Sequence, residues 1–159
     1  MVRTGDWPVP RKTGRPVAPA IVWQCRRTSE ACRDIDAAWV AGKTGLVPDA
    51  YFSGTKLAWL AEHEPHTWAL VESGRYAIGT VDSYLIARMT RGTWHVTDVS
   101  NACRTLLFDL EQGTWSEELC GLFGVPRDAL PELVPNWGDL ATTDPKSFLD
   151  LELPVAGIA

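Results

Sequence analysis

The sequence predicts a mixed α/β domain that contains more helix than strand. Short apolar runs, such as residues 20–23, have the length expected of buried strands. Residues 53–64 instead place Leu57, Leu60 and Ala61 on one face, at the i, i+3, i+4 spacing of an amphipathic helix. With 159 residues, the chain is long enough for one domain with a core and too short for two full domains.

Composition and charge exclude several classes of protein. Hydrophobic residues make up 45% and charged residues 22%, as in ordinary globular proteins and unlike disordered ones. The net charge of −5 argues against a nucleic-acid partner, and the basic pair Arg26-Arg27 is typical of the solvated face of a helix. The apolar runs are far shorter than the roughly 20 residues that cross a bilayer. The first residues lack the apolar region of a signal peptide, so we expect a cytoplasmic protein without membrane contact.

The first elements are predicted from turn and cap signals. Pro and Gly in the first twenty residues indicate turns and a short hairpin around Thr13-Gly14. A strand follows at 20–23. Thr28 is then a candidate N-cap for a helix that runs to about Val40 and ends at Gly42 or Gly45.

The middle of the chain contains two further predicted helices. Ser53 is a candidate cap for the amphipathic helix, which ends near Glu64 because Pro65 follows. A short extended segment at 78–80 comes next. Asp82 or Ser83 then caps a helix that continues through about Met89.

The last third is predicted to contain one strongly marked helix. It follows an extended segment at 93–96 and a buried run at 106–108. Ser116 caps this helix, two glutamates favour its first turn, and Gly124 ends it after Phe123. Pro126 and Pro131 bracket one more turn. Residues 135–150 are expected to form a polar loop, and 153–159 a buried strand.

Three motifs favour ordinary structural interpretations. Gly42-Lys43-Thr44 lacks the first glycine of a phosphate-binding loop, and it follows a predicted helix instead of opening one. The two histidines of residues 63–66 are separated by Pro65, so exposed residues at a helix end are favoured over a metal site. None of the four cysteines forms a C-x-x-C pair, which favours free thiols. These cysteines are Cys25, Cys32, Cys103 and Cys120.

Four segments carry a resemblance to a known family. They are IVWQCRRT at 21–28, YFSGTKLAWLAEH at 51–63, GTVDSYLI at 79–86 and HVTDVSNACRTLLF at 95–108. The second resembles the general signature of the FGGY carbohydrate kinases, and all four together resemble the glycerol kinases of that family. Residues 123–132 and 156–159 extend the resemblance, which covers residues 13–159.

The resemblance implies a fold and an activity. Members of the family have two actin-like, ribonuclease-H-like domains, with glycerol bound in the first and nucleotide in the second. They use MgATP to phosphorylate a terminal hydroxyl of glycerol, giving glycerol 3-phosphate. Residues 1–159 then correspond to an incomplete N-terminal, glycerol-binding domain, without the nucleotide-binding C-terminal domain.

The resemblance also indicates three substrate-binding residues. Trp23 is similar to an indole wall against the C–H face of glycerol, with a core indole as the alternative. Tyr51 is similar to a tyrosine whose hydroxyl meets a glycerol oxygen. Counting back without gaps from Trp23 places Arg3 on the arginine of an Arg-Glu pair, although Thr4 stands where the glutamate is expected. Trp59 is expected to serve packing.

The chain departs from the family pattern at the catalytic positions. The family's phosphate-contacting turn would precede Met1, and the segment with its catalytic aspartate would follow Ala159, so we assign no catalytic residue. We therefore expect an inactive chain that binds no MgATP, binds glycerol weakly if at all, and self-associates through an exposed sheet edge. Alternatives are a non-catalytic binding or interaction module, or a fragment of another FGGY sugar kinase.

Overall fold

The computed structural model describes residues 5–6, 8–17 and 19–158, and these residues form both helices and strands. The helices are α1 Ala37–Thr44, α2 Ser53–His63, α3 Pro65–Glu72, α4 Val81–Met89, α5 Val99–Ala102 and α6 Glu117–Phe123. Single 3₁₀ turns lie at Ala31–Asp34 and Arg127–Ala129. The predicted α/β class is confirmed.

The strands pair two by two. They are β1 Gly5–Asp6, β2 Val9–Pro10, β3 Ile21–Val22, β4 Tyr76–Ala77, β5 Val96–Asp98, β6 Phe108–Asp109, β7 Thr114–Trp115, β8 Glu132–Val134, β9 Trp137–Thr142 and β10 Pro154–Gly157. The pairs are β1–β3, β2–β4, β6–β7 and β9–β10, all antiparallel, and the parallel pair β5–β8. Among the described residues, these five ladders are separate two-stranded sheets.

The N-terminal segment returns on itself around the predicted turn. Gly5 pairs with Val22 and Asp6 with Ile21, a register centred between Thr13 and Gly14. The short hairpin expected there is confirmed in this antiparallel pairing of β1 with β3, although β2, which lies nearer the turn, pairs with β4 instead. Among the described residues, the two arms on either side of the turn therefore pair with each other through β1 and β3, far from the turn itself.

Helix α1 begins at Ala37, nine residues after the predicted cap Thr28. Asp36 caps it instead, and its Oδ1 accepts from the amides of Ala38 and Trp39 at 3.1 Å each. The Thr28 prediction is wrong because that side chain is buried and its hydroxyl lies 3.0 Å from the hydroxyl of Thr55. Gly45 ends the helix as predicted, in the left-handed region with φ +68°.

Helix α2 lies at the centre of the main core. Leu57 and Leu60 are buried, as the spacing predicts, and Gly54 packs against Phe123 of α6. Pro65 ends α2 but also opens α3, where its missing N–H costs nothing at the first helical position. Trp68 and Val71 of α3 extend the same core.

Helix α4 begins two or three residues earlier than the predicted caps imply. Thr80 precedes the first helical residue, Val81, while Asp82 accepts hydrogen bonds from the hydroxyls of Thr80 and Thr97. Asp82 and Ser83 are therefore not caps, and Ser83 instead donates to the carbonyl of Thr80 at 2.9 Å. The end at Met89 is confirmed. The extended segments predicted at 78–80 and 93–96 are displaced: β4 ends one residue before the first, and β5 shares only Val96 with the second.

Helix α6 matches its prediction at both ends. Ser116 accepts from the amide of Leu119 at 3.3 Å, and Gly124 ends the helix with φ +63°. The buried run at 106–108 is also confirmed, since all three side chains are at most 1% exposed. The turn between Pro126 and Pro131 is the second 3₁₀ turn.

The C-terminal segment differs most from the prediction. Residues 137–142 form β9, the longest described strand, where a polar loop was expected. Only Leu140 and Ala141 of β9 are buried, so the sequence shows no alternating apolar pattern. Strand β10 is confirmed, but its burial is not, because most of its residues are exposed and Ile158 beyond it is buried. None of the described helices has the length and apolar character needed to cross a membrane.

Candidate functional site

The structure brings two of the three predicted site residues together. Trp23 lies in the turn after β3, and Tyr51 lies in the turn before α2. Their ring centroids are 5.9 Å apart, with the rings tilted by 54°. Trp23 is 38% exposed, so the alternative of a fully buried core indole does not hold. Arg3 lies outside the described residues.

The position of Tyr51 is fixed through its main chain. Its amide donates to Oδ1 of Asp49 at 2.7 Å, and its carbonyl accepts from Nζ of Lys56 at 2.7 Å. Lys56 is 0% exposed. Its ammonium group reaches from α2 to the turn before the helix, where this hydrogen bond is made. Phe52 packs edge-on against the tyrosine ring, at a centroid distance of 5.1 Å. These contacts leave the half-buried ring beside Trp23.

A salt bridge joins the two turns that carry the aromatic pair. Both terminal nitrogens of the Arg26 guanidinium donate to the carboxylate of Asp49, at 2.9 and 3.3 Å. The hydrogen bond from Arg26 is the main reason that the pKa of Asp49 lies below its ordinary value. Arg26 was expected to be solvated helix charge, which is wrong because its segment forms turns and its partner lies 23 residues away.

A second layer of contacts lies beside Trp59. The guanidinium of Arg27 lies 4.3 Å from the centroid of the Trp59 ring, and His63 stacks on the same residue at 4.3 Å. Trp59 is half-buried and packs against the main core, which confirms the expected packing role. Nε of Arg27 also donates to Sγ of Cys25 at 3.0 Å, and this hydrogen bond lowers the pKa of the Cys25 thiol.

The other motifs keep their structural interpretations. Gly42-Lys43-Thr44 occupies the last turn of α1, where the exposed carbonyls disfavour phosphate. Nζ of Lys43 lies 2.9 Å from Glu118 and 3.6 Å from Asp109, so its charge is already paired. Across the described ranges, no group of three or more His, Cys, Asp or Glu side chains could hold a metal ion.

Sequence reasoning missed the residues that hold the aromatic pair. Lys56 sits at an apolar helical face, and its burial has no signal in the periodicity of α2. The partnership of Arg26 with Asp49 joins distant segments, which spacing along the chain does not reveal. Asp49 lies two residues before Tyr51, a spacing typical of a side chain that accepts from a turn amide, and this was the one usable signal.

Comparison with known proteins identifies close relatives of the chain. A model of the FGGY family of carbohydrate kinases, N-terminal domain, matches residues 5–159. The glycerol kinase of Acidovorax ebreus is 48% identical over a 153-residue alignment that covers 94% of this chain and 30% of that protein. The glycerol kinase of Methylobacterium nodulans is 46% identical, and the alignment again covers 94% of this chain and 30% of that protein. The chain thus spans about 30% of the length of the curated relatives that it matches.

Solved structures confirm the expected fold. The crystal structure of Plasmodium falciparum glycerol kinase with ADP gives a TM-score of 0.91 at 31% identity, over 98% of this chain and 32% of that one. The xylulose kinase of Rhodospirillum rubrum gives 0.83 at 21% identity, over 98% and 33% of the two chains. The second likeness concerns the fold alone. The actin-like fold of FGGY sugar kinases is therefore the fold of these residues, as part of a domain.

Proposed function

Because the chain belongs to the FGGY family of carbohydrate kinases, we propose that it contributes the glycerol-facing surface of a glycerol kinase. The reaction of such an enzyme transfers phosphate from MgATP to a terminal hydroxyl of glycerol. Relatives that are 44–48% identical and carry the name glycerol kinase support this substrate over a sugar. The proximity of Trp23 and Tyr51, 5.9 Å apart, is the observation that carries the proposal.

The chemistry of this pair suits a small triol. Glycerol offers one short face of C–H bonds and three hydroxyls, so its site needs an apolar wall beside polar groups. The exposed part of the Trp23 indole provides the wall. The Tyr51 hydroxyl can donate to or accept from a glycerol oxygen. Asp49 and Lys56 hold the main chain of Tyr51 and are positioning residues.

We also propose that the chain by itself transfers no phosphate. Phosphoryl transfer depends on positioning and on stabilisation of charge by metal, backbone and charged side chains. The sequence contains no Gly-Asp-Gln segment of the kind that supplies the family's base. A coupled assay with MgATP and glycerol tests this, and we expect no turnover above a no-enzyme control. Turnover that Trp23→Ala abolishes and Trp94→Ala preserves would contradict the proposal.

Glycerol titration followed by NMR tests the binding surface. The expected result is a shift of the Trp23 indole N–H with an affinity weaker than about 1 mM, since two contacts provide less than about 4 kcal/mol. The shift should disappear in Tyr51→Phe and persist in Tyr76→Phe, which removes a hydroxyl elsewhere. An unchanged indole signal at high glycerol concentration would overturn the proposal. Micromolar binding that Tyr51→Phe abolishes would instead favour the alternative, a non-catalytic binding module.

We also propose that the protein is located in the cytoplasm.

A further inference from the structure

A cleft unrelated to the aromatic pair lies between the N-terminal segment and helix α4. It has a volume of about 710 Å³, and neither Trp23 nor Tyr51 lines it. The loop after β2 forms one wall and the outer face of α4 forms the other. Val81 and Leu85 contribute apolar surface between these walls. The volume lies within the range of about 300–1,000 Å³ that is typical of sites for small molecules.

The lining of the cleft is positively charged, although the chain as a whole is negative. The described lining residues include no Asp or Glu, in a protein with a net charge of −5. They include five of its arginines and lysines. These are Arg11, Lys12, Arg88, Arg91 and Lys146. Such a concentration of one sign in a concave site attracts an anion, because low-dielectric walls focus the field.

Most of these charges are not neutralised by carboxylates. Arg91 lies 3.6 Å from Asp144. The guanidinium of Arg11 donates to the main-chain carbonyl of Asp128 at 2.9 Å, and that of Arg88 donates to the carbonyls of Thr13 and Gly14 at 3.3 and 3.4 Å. A carbonyl accepts a hydrogen bond from a guanidinium but does not neutralise the positive charge of that guanidinium. Within the described ranges, Lys12, Arg88 and Lys146 have no ion-pair partner.

His95 also lines the cleft, and its pKa reflects the positive charge nearby. Its pKa is lowered to about 4, mainly by burial, and the positive charge of Arg11 contributes to this shift in the same direction. The imidazole is therefore neutral at pH 7 and can accept or donate one hydrogen bond. Its neutral form means that the anion-attracting charge comes from the arginines and lysines.

We infer that this cleft binds a small amphipathic anion, with its acidic group at Lys12, Arg88 and Lys146 and its apolar body along Val81 and Leu85. The cations surround one concave site and form no extended stripe, which fits a small molecule better than a polymer. The net charge of −5 also repels a nucleic acid. The inference does not rest on the proposed function, because the two sites share no residue.

The test uses octanoate as the probe and 1-octanol as its neutral counterpart. We expect octanoate to perturb amide signals of α4 and of residues 11–14, with at least about tenfold higher affinity than 1-octanol. Added salt should weaken octanoate binding and leave 1-octanol binding unchanged, because only the anion is attracted electrostatically. Octyl phosphate in place of octanoate distinguishes a phosphate from a carboxylate head group.

Two variants that each remove one exposed positive charge make the test specific. Lys146→Gln should weaken octanoate binding several-fold, whereas Arg33→Gln, in the 3₁₀ turn away from the cleft, should leave it unchanged. Leu85→Ser should weaken both octanoate and 1-octanol. Equal affinities for octanoate and 1-octanol, or equal effects of Lys146→Gln and Arg33→Gln, would overturn the inference. Cleft signals that depend on protein concentration without probe would also overturn it, because a second copy would then occupy the cleft.

Discussion

Ser53 and Ser116 stand beside the first turns of two helices, but their hydroxyls have different environments. Ser116 accepts from the amide of Leu119 and caps α6. Ser53 is the first residue of α2, and its buried hydroxyl has no hydrogen-bond partner among the described residues. Ser116→Ala should therefore lower the free energy of unfolding by about 1 kcal/mol. Ser53→Ala should leave it unchanged or raise it, since a buried unsatisfied hydroxyl is costly.

Urea unfolding of the two variants measures this difference directly. The two substitutions remove the same atom, so each is the control for the other. Equal losses of stability in both variants would contradict the distinction between a cap and a buried orphan hydroxyl.

The Arg26–Asp49 salt bridge should make stability depend on pH. Because Arg26 lowers the pKa of Asp49 in the folded state, the pair stabilises the fold above the unfolded pKa of about 3.9. This contribution is lost as pH falls through the lower folded pKa. Both side chains are substantially exposed, so Arg26→Gln should cost at most about 1 kcal/mol at pH 7.

The measurement compares the unfolding of wild type and Arg26→Gln at pH 7 and at about pH 2. The difference should vanish at the lower pH, where Asp49 is protonated in both states. Arg33→Gln is the control, and it should change stability little at either pH. A difference that persists unchanged at low pH would show that Arg26 stabilises the turns in another way.

Helix α2 depends on a glycine at its point of contact with α6. A Cβ on Gly54 would lie 3.0 Å from the buried ring of Phe123 and 3.2 Å from the main-chain oxygen of Thr105. Gly54→Ala should therefore be destabilising, although alanine in a helix is normally favoured over glycine by about 1 kcal/mol. The backbone oxygen cannot move as a flexible side chain can.

Gly42→Ala in α1 is the matched control. A Cβ there has no neighbour within 4 Å, so this variant should be more stable than wild type by up to about 1 kcal/mol. Thermal unfolding of both variants should show Tm changes of opposite sign. An increase in Tm for Gly54→Ala would mean that α2 and α6 separate easily.

The elements that the sequence predicts well are those with local signals. Helix α6 has its cap, its acidic first turn and its terminal glycine within nine residues, so each boundary is fixed locally. Helix α1 starts elsewhere than predicted because the Thr28 hydroxyl is engaged by Thr55, a contact between distant segments. Strand β9 was missed because pairing with β10, and not burial, holds most of it.

The same distinction applies to the candidate site. Trp23 and Tyr51 were indicated by the resemblance of their segments to the glycerol kinases, and the structure places them side by side. The side chains that fix them, Lys56 and the pair of Arg26 with Asp49, act across turns and have no periodicity to reveal them. Their arrangement follows only from the tertiary fold.

At the scale of the whole molecule, exposed apolar surface favours association between copies. Trp137 of β9 is 80% exposed and Leu149 is 77% exposed. Strand β9 pairs with β10 on one side, and its other edge has no strand partner among the described residues. Unpaired strand edges and large apolar patches promote pairing with another chain. We therefore predict self-association through this edge.

Sedimentation velocity over a range of protein concentrations tests the association. We expect the average mass to rise with concentration, and Trp137→Lys to shift the chain towards monomer, since an edge lysine opposes strand pairing. Trp94→Lys places the same charge at an exposed tryptophan outside the strands and should have little effect. A monodisperse monomer at every concentration would contradict the prediction.

The separation of the sheet into five ladders has a consequence for how the backbone exchanges hydrogen with heavy water. Amides resist exchange where an opening must disrupt many contacts at once, and a two-residue ladder can open alone. Slow exchange should therefore concentrate in α2 and at residues 106–108, within the main core. The amides of the short peripheral strands should exchange early. Deuterium uptake should therefore distinguish a slowly exchanging helical core from peripheral strands that open independently of it.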